Sequence, residues 1–381
     1  MKNVRKINLI YLSAFFGDAL FSPFIALYLI SIGFSDYQRG ILLAIIPIAT
    51  ILGNLIYGKL SGKLKRNINL VKILSLVNAI VIILFGLTKN FYVLLALTTL
   101  FGLHNSPYFS LEDGVGVALC EKENKIYSRT RMFGSIGYCL ALLSGSYIVT
   151  LLNYTYIFLI AGFFFLLINV IALFIKVSQE ENETNVNKKV SFKDLFKNKT
   201  FIFYSIFYLL LNGMWVIGES YLSTYFNYLN VSDSQYSLMY GVQVGIEILV
   251  IFILSKVLDK FKNTSVLLLL SCIVIFSRYL LLGTNLPATS LMVITSILRG
   301  IGWGAFLSSH LPVVKKILGI DLTTKGITCL VMMANLLGSI GNLVAPYIYT
   351  SLSLQWLYLI FGFIQIIGTL ILYFGIVIRK E

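Results

Sequence analysis

The sequence predicts an all-α integral membrane protein with twelve transmembrane helices in two six-helix halves. Three observations predict it. Apolar runs of about 20 residues, enough to cross roughly 30 Å of hydrocarbon, recur along the whole chain. Charged residues collect in the short connectors between those runs, and the pattern of the first half returns in the second. Residues A, V, I, L, M, F, W, Y and C make up 58% of the 381 positions and charged residues 12%, with a mean hydropathy of +0.87. A soluble domain carries about 25% charge, so the soluble alternatives fall away.

Span 1 (7–30) follows the basic start MKNVRK; it is too long for a signal peptide and lacks a small-residue cleavage site. Span 2 (38–59) runs into a connector holding Lys59, Lys63, Lys65, Arg66 and Lys72. Span 3 (69–87) and span 4 (91–119) precede a second basic connector, with Lys122, Lys125, Arg129 and Arg131. Spans 5 and 6 occupy 129–150 and 154–177. The long polar stretch after them holds Lys188, Lys189, Lys193, Lys197 and Lys199. Its start reads as linker, and SFKDLFKN as a short amphipathic surface helix. Spans 7 to 12 fall at 201–227, 236–257, 264–283, 289–312, 324–349 and 354–378. The connectors near 31–37, 151–153, 228–235, 284–288 and 350–353 contain no lysine or arginine. Basic connectors face the cytoplasm, which places both termini there. The expected organisation is a first bundle over 1–177, a linker over 178–200 and a second bundle over 201–381.

An internal repeat supports the two halves. SDYQ at Ser35–Gln38 returns as SDSQ at Ser232–Gln235, an offset of 197. The same offset lays Lys59–Lys65 on Lys256–Lys262 without a gap and Tyr28 on Tyr225. Two halves related by a parallel repeat are an architecture of secondary transporters.

Few ionisable residues remain inside the spans: Asp18, Glu112, Asp113, Glu219, Glu247, Arg278 and Arg299, with Arg129 and Arg131 opening span 5. Each costs at least ~2.5–3.5 kcal/mol at the bilayer centre, so each should face a partner or a hydrated cavity. At about 1.5 Å per residue, Asp113 and Arg131 reach similar depths on adjacent antiparallel helices. The same count puts Glu247 level with Arg278, and Glu219 level with Arg299; Asp18 has no evident cation. Structural ion pairs would explain any one of these, but buried pairs seldom stabilise relative to apolar packing, so the set points to a hydrated pathway. Pro23, Pro47, Pro107, Pro312 and Pro346 supply kinks, and Gly300, Gly302 and Gly304 allow close helix approach beside Trp303.

Other function classes find no support in the residues. The net charge of +14 sits in the connectors rather than in a nucleic-acid face. Cys120, Cys139, Cys272 and Cys329 show no CxxC spacing, and His104 and His310 share no metal-ligand spacing, so neither a metal site nor an enzyme's nucleophile–base arrangement is expected. There is no G-x-x-x-x-G-K-[ST] loop for ATP, which leaves an ion gradient as the energy source.

The string RTRMFGSIGY at Arg129–Tyr138, SPFIALYLISIGFS in span 1 and GIEILVIF…FSRYL with Glu247 and Arg278 resemble the major facilitator superfamily, over nearly the full chain. The likeness is nearest to its branch of lactose permease, phenylpropionate permease-like proteins and nucleoside–proton symporters. That resemblance implies that Asp113, Arg131 and Tyr138 bind substrate, the tyrosine stacking on a ring. It also implies that Glu247 and Arg278 serve binding and proton coupling. Three departures stand out. Gly62 replaces the family's aspartate in the span 2–3 connector, although Asp259 remains in the second half. Arg299 stands where many relatives have histidine, and Gly302 replaces the permease's proton-carrying glutamate. Tyr138 replaces its tryptophan.

The resulting expectation is a multi-pass cell-membrane symporter that needs no cofactor beyond its coupling proton. It would work as a monomer, moving a small polar solute (a sugar or nucleoside) by alternating access. Substrate would meet Asp113, Arg131, Tyr138, Glu247 and Trp303, and Glu247, Arg278, Glu219, Asp18 and Arg299 would serve coupling. Rival readings on the same fold are an aromatic-acid symporter, with Arg278 or Arg299 meeting the carboxylate, and an efflux transporter.

Overall fold

The computed structural model describes residues 3–125, 127–175, 195–257 and 264–377. Asp259, Lys262 and the polar stretch through residue 194, including the first half of SFKDLFKN, lie outside these residues. The described chain is helical throughout: α1 (Asn3–Ser31), α2 (Asp36–Leu60), α3 (Leu64–Leu87), α4 (Phe91–Lys122), α5 (Tyr127–Leu151) and α6 (Tyr154–Leu173). They are followed by α7 (Lys199–Tyr228), α8 (Asp233–Val257), α9 (Thr264–Leu282), α10 (Ala288–Leu318), α11 (Ile320–Ser351) and α12 (Leu354–Leu372). Pro23 interrupts α1 with a 3-10 turn at Ser22–Phe24, whereas Pro47, Pro107, Pro312 and Pro346 lie inside continuous helices.

Among the described residues, eleven helices are long and apolar enough to cross a membrane. The exception is α4, which is 32 residues long but carries His104, Asn105, Glu112 and Asp113. Its length fits a spanning helix, and these polar residues lower its mean hydropathy. Outward positions are apolar, as with Leu52, Ile73, Leu249 and Phe363, while Asn78, Glu112, Arg278, Asn342 and Gln365 are buried. A lipid solvent demands this inverted arrangement.

The chain forms two compact units, one from Met1–Val186 with Ser232–Gly241 and the other from Asn187–Val231 with Val242–Glu381. In the first, α1 packs on α5 and α6, α2 on α4, and α3 on α4 and α6. Ser237 near the start of α8 donates to the Leu142 carbonyl at 2.8 Å, and Tyr154 donates to Asp233, which ties Ser232–Gly241 to this unit. In the second unit α7 packs on α11 and α12, and α9 on α10 and α12.

The repeat read from the sequence reappears as repeated chemistry. Ser35 and Gln38 close a reciprocal capping box at the start of α2, with bonds of 3.0 and 3.3 Å. Ser232 and Gln235 build the same box at the start of α8, with bonds of 3.1 and 3.3 Å. Tyr28 donates to the Thr88 carbonyl just beyond α3, and Tyr225 to the Leu282 carbonyl at the end of α9. Ser35→Ala and Ser232→Ala are each expected to cost about 1 kcal/mol, seen as a lower unfolding temperature of the detergent-solubilised protein. An unchanged midpoint in both variants would show that the boxes contribute nothing.

Candidate transport site

In the first unit the polar groups gather where α1, α4 and α5 meet. Asp113 on α4 accepts hydrogen bonds from Tyr11 of α1 and Tyr127 of α5, both at 2.7 Å to Oδ1. Arg131 Nε lies 3.5 Å from the same oxygen, and its guanidinium stacks over the Phe15 ring, 4.2 Å from the centroid. Close helix approach makes this possible. A Cβ on Gly116 of α4 would lie 2.8 Å from Tyr11 Oη, and one on Gly137 of α5 would collide with the backbone of Leu12. The glycines of RTRMFGSIGY therefore seat α5 on α1 and hold Arg131 beside Asp113. Both members of the pair keep substantial exposure, 38% for Arg131 and 45% for Asp113. Tyr138 stands seven residues after Arg131, about two turns along the same face of α5, and is half-buried.

Asp18 has polar neighbours rather than a cation. Ser22, held in the turn at Pro23, donates to it at 2.9 Å, and Asn105 of α4 at 3.0 Å. Asn105 in turn accepts from the buried Asn78 of α3 at 3.3 Å. The line Asp18–Asn105–Asn78 crosses three helices inside one unit.

In the second unit the ion pairs differ from those that depth alone predicts. Arg278 of α9 pairs with Glu219 of α7, Nη1 to Oε1 at 2.5 Å, and Arg299 of α10 pairs with Glu247 of α8. The expected Glu247–Arg278 and Glu219–Arg299 matches are corrected by helix adjacency. A Cβ on Gly218 of α7 would lie 2.5 Å from the ring of Tyr279, so this glycine admits α9 beside Glu219. Gly300 and Gly304 do the same for α8 on α10. A Cβ on Gly300 would come within 2.6 Å of Ile246, and one on Gly304 within 2.9 Å of the Glu247 carbonyl. Both pairs are largely buried, with Arg278 1% and Arg299 9% exposed.

Trp215 of α7 lies between them. The Arg278 and Arg299 guanidiniums sit 5.4 and 5.7 Å from its ring, and Trp303 stacks on it at 4.0 Å with planes 7° apart. Phe306 and His310 extend the stack along α10, and His310 Nδ1 shares a 2.6 Å hydrogen bond with Tyr204 Oη. Glu219 Oε2 and Arg278 Nε are buried without a hydrogen bond among the described residues.

Several contributors are absent from the sequence reading, among them Tyr11, Tyr127 and Trp215. Tyr127 carried a usable signal, since it precedes Arg131 by four residues and so shares its helix face. Tyr11 carried none, being one of 23 tyrosines. Trp215 becomes visible only once α7, α9 and α10 are packed.

Comparison with known proteins places the chain. The MFS_1 like family model matches residues 4–360. The chain is 25% identical over 360 residues to the Bacillus subtilis (strain 168) protein named "Uncharacterized transporter YwbF", covering 94% of this chain and 90% of that one. Two crystal structures of the nucleoside transporter NupG, one of a point mutant, superpose with TM-scores of 0.84 and 0.82 at 16% identity. In each case 98% of this chain and 99% of the other is covered. A bacterial homologue of the human lysosomal transporter Spinster, inward-facing and unoccupied, gives 0.73 at 13% identity, over 98% of this chain and 96% of that one. At these identities the superpositions speak for the fold alone. With the internal repeat, the polar pairs inside apolar helices and a family match from residue 4 to residue 360, the chain belongs to the MFS_1 like family of the major facilitator superfamily and has a multi-pass membrane transporter fold.

Proposed function

We propose that the protein is a secondary active transporter that couples proton entry to uptake of a small polar ring-bearing solute, a nucleoside before a sugar. The observation that carries this reading is Trp215, stacked on Trp303 and flanked by two guanidiniums that each have their own carboxylate. Indole faces suit a planar ring, and charge-assisted donors and acceptors suit hydroxyl and amide edges. Asp113 and Arg131 supply a second, more exposed pair of the kind that holds sugar hydroxyls. The fold shared with the nucleoside transporter NupG makes nucleosides the first solutes to test.

Transport proceeds by alternating access, the solute being opened to each side of the membrane in turn. The basic connectors put both termini on the cytoplasmic side of a cell membrane, and the unit works as a monomer. A potential of 100 mV supplies about 2.3 kcal/mol per proton, enough for useful accumulation.

Counterflow in proteoliposomes tests the solute class. Vesicles preloaded with unlabelled nucleoside are expected to take up labelled nucleoside transiently, with disaccharides exchanging more weakly and aromatic acids not at all. Exchange of aromatic acids alone would move the cations to carboxylate recognition and overturn the nucleoside assignment.

A further inference from the structure

Symport needs a group that gains and loses a proton within the membrane, and this inference rests on the symport reading above. Four of the five carboxylates inside the spans have hydrogen-bond or ion-pair donors in the structure. Asp113 has Tyr11, Tyr127 and Arg131; Glu219 has Arg278; Glu247 has Arg299; Asp18 has Ser22 and Asn105. Hydrogen bonds and cations of this kind favour the charged form.

Glu112 is different. It is fully buried, and neither carboxylate oxygen accepts a hydrogen bond among the described residues. The groups facing it are Tyr108 and Asp113 on its own helix, Tyr11 from α1 and Arg131 from α5. Tyr108 lies one turn before it, its hydroxyl equally buried and facing the Glu112 carboxylate, and packs its ring on Phe165 of α6. A carboxylate buried here with no cation bonded to it is far more costly than a buried neutral acid, and the adjacent Asp113 adds like-charge repulsion.

We propose that Glu112 carries the coupling proton. In the conformation described, Arg131 is engaged with Asp113 and Phe15, and Glu112 is the neutral acid. Proton release leaves the Glu112 carboxylate, with the proton passing to water on the exit side, and the nearest cation to receive that charge is Arg131. A solute that occupies Arg131 withdraws it from Glu112 and so favours the protonated acid. Proton and solute therefore bind cooperatively, as symport requires. Glu112 takes this role in place of Glu247, whose carboxylate is committed to Arg299.

Glu112→Gln fixes the neutral form. In proteoliposomes the variant is expected to keep nucleoside counterflow, to lose accumulation beyond equilibrium under an imposed proton gradient, and to lose solute-induced proton movement. Proton-driven accumulation at the wild-type level would overturn the assignment to Glu112 alone. A wild-type protein that exchanges nucleoside but moves no protons would overturn the symport reading itself. A second measurement needs no variant. Dicyclohexylcarbodiimide attacks protonated carboxyls from the apolar phase, and mass spectrometry of the labelled wild-type protein is expected to find Glu112 modified ahead of Asp113, Glu219 and Glu247, less so at alkaline pH. Labelling of the others with Glu112 unmodified would refute the proposal even if Glu112→Gln fails to fold.

Discussion

Replacing Arg131 by alanine is expected to abolish uptake at low solute concentration while leaving the protein folded and inserted. The two halves of that expectation have separate causes. The Asp113–Arg131 pair is more than a third exposed on both sides, and exposed pairs contribute little to stability. Asp113 also keeps both tyrosine donors when Arg131 is gone. The solute, by contrast, loses a charge-assisted donor of about 1.5–3 kcal/mol, which weakens binding at least ~tenfold. Arg131→Lys keeps the charge but loses the planar fork and the stack on Phe15, so an intermediate affinity is expected. Uptake near wild type in Arg131→Ala cells would show that solute does not meet this arginine.

Arg278→Ala is expected to act on stability instead. Its loss leaves Glu219 as a carboxylate 15% exposed among apolar helices, without the guanidinium that meets its Oε1. Breaking a buried pair from one side costs about 3–5 kcal/mol, whereas neutralising both partners is often harmless. Arg278→Ala should therefore lower the yield and unfolding temperature of the detergent-solubilised protein sharply. The double variant Glu219→Gln, Arg278→Gln should regain most of that stability without regaining transport. A single variant as stable as wild type would mean that water reaches Glu219 freely, contrary to its burial here.

Much of this arrangement was legible in the residues, for definable reasons. Span count follows from apolar length, and the repeat from SDYQ and SDSQ, because a capping box depends on a local spacing that sequence displays directly. The meeting of Asp113 with Arg131 was legible because one short connector joins their helices and restricts them to neighbouring positions. The pairings of Glu219 and Glu247 were not. Counting residues from a span end gives height but neither the direction a side chain points nor which helices touch. Those are decided by Gly218, Gly300 and Gly304, whose missing side chains let α9 approach α7 and α8 approach α10. Glu112 and Asp113 are adjacent in sequence, yet one is fully buried and the other half-exposed. Successive helical residues point about 100° apart, so only packing can tell the two acids from each other.

The central claim is that solute and protons move together through this protein, and external pH tests it most directly. Weakly buffered, de-energised cells expressing the wild-type chain would receive disaccharides, nucleosides and aromatic acids in turn, with Arg131→Ala cells as the control. The account predicts alkalinisation of the medium on addition of nucleoside, absent from the control. Nucleoside uptake with no pH change in wild-type cells would contradict it.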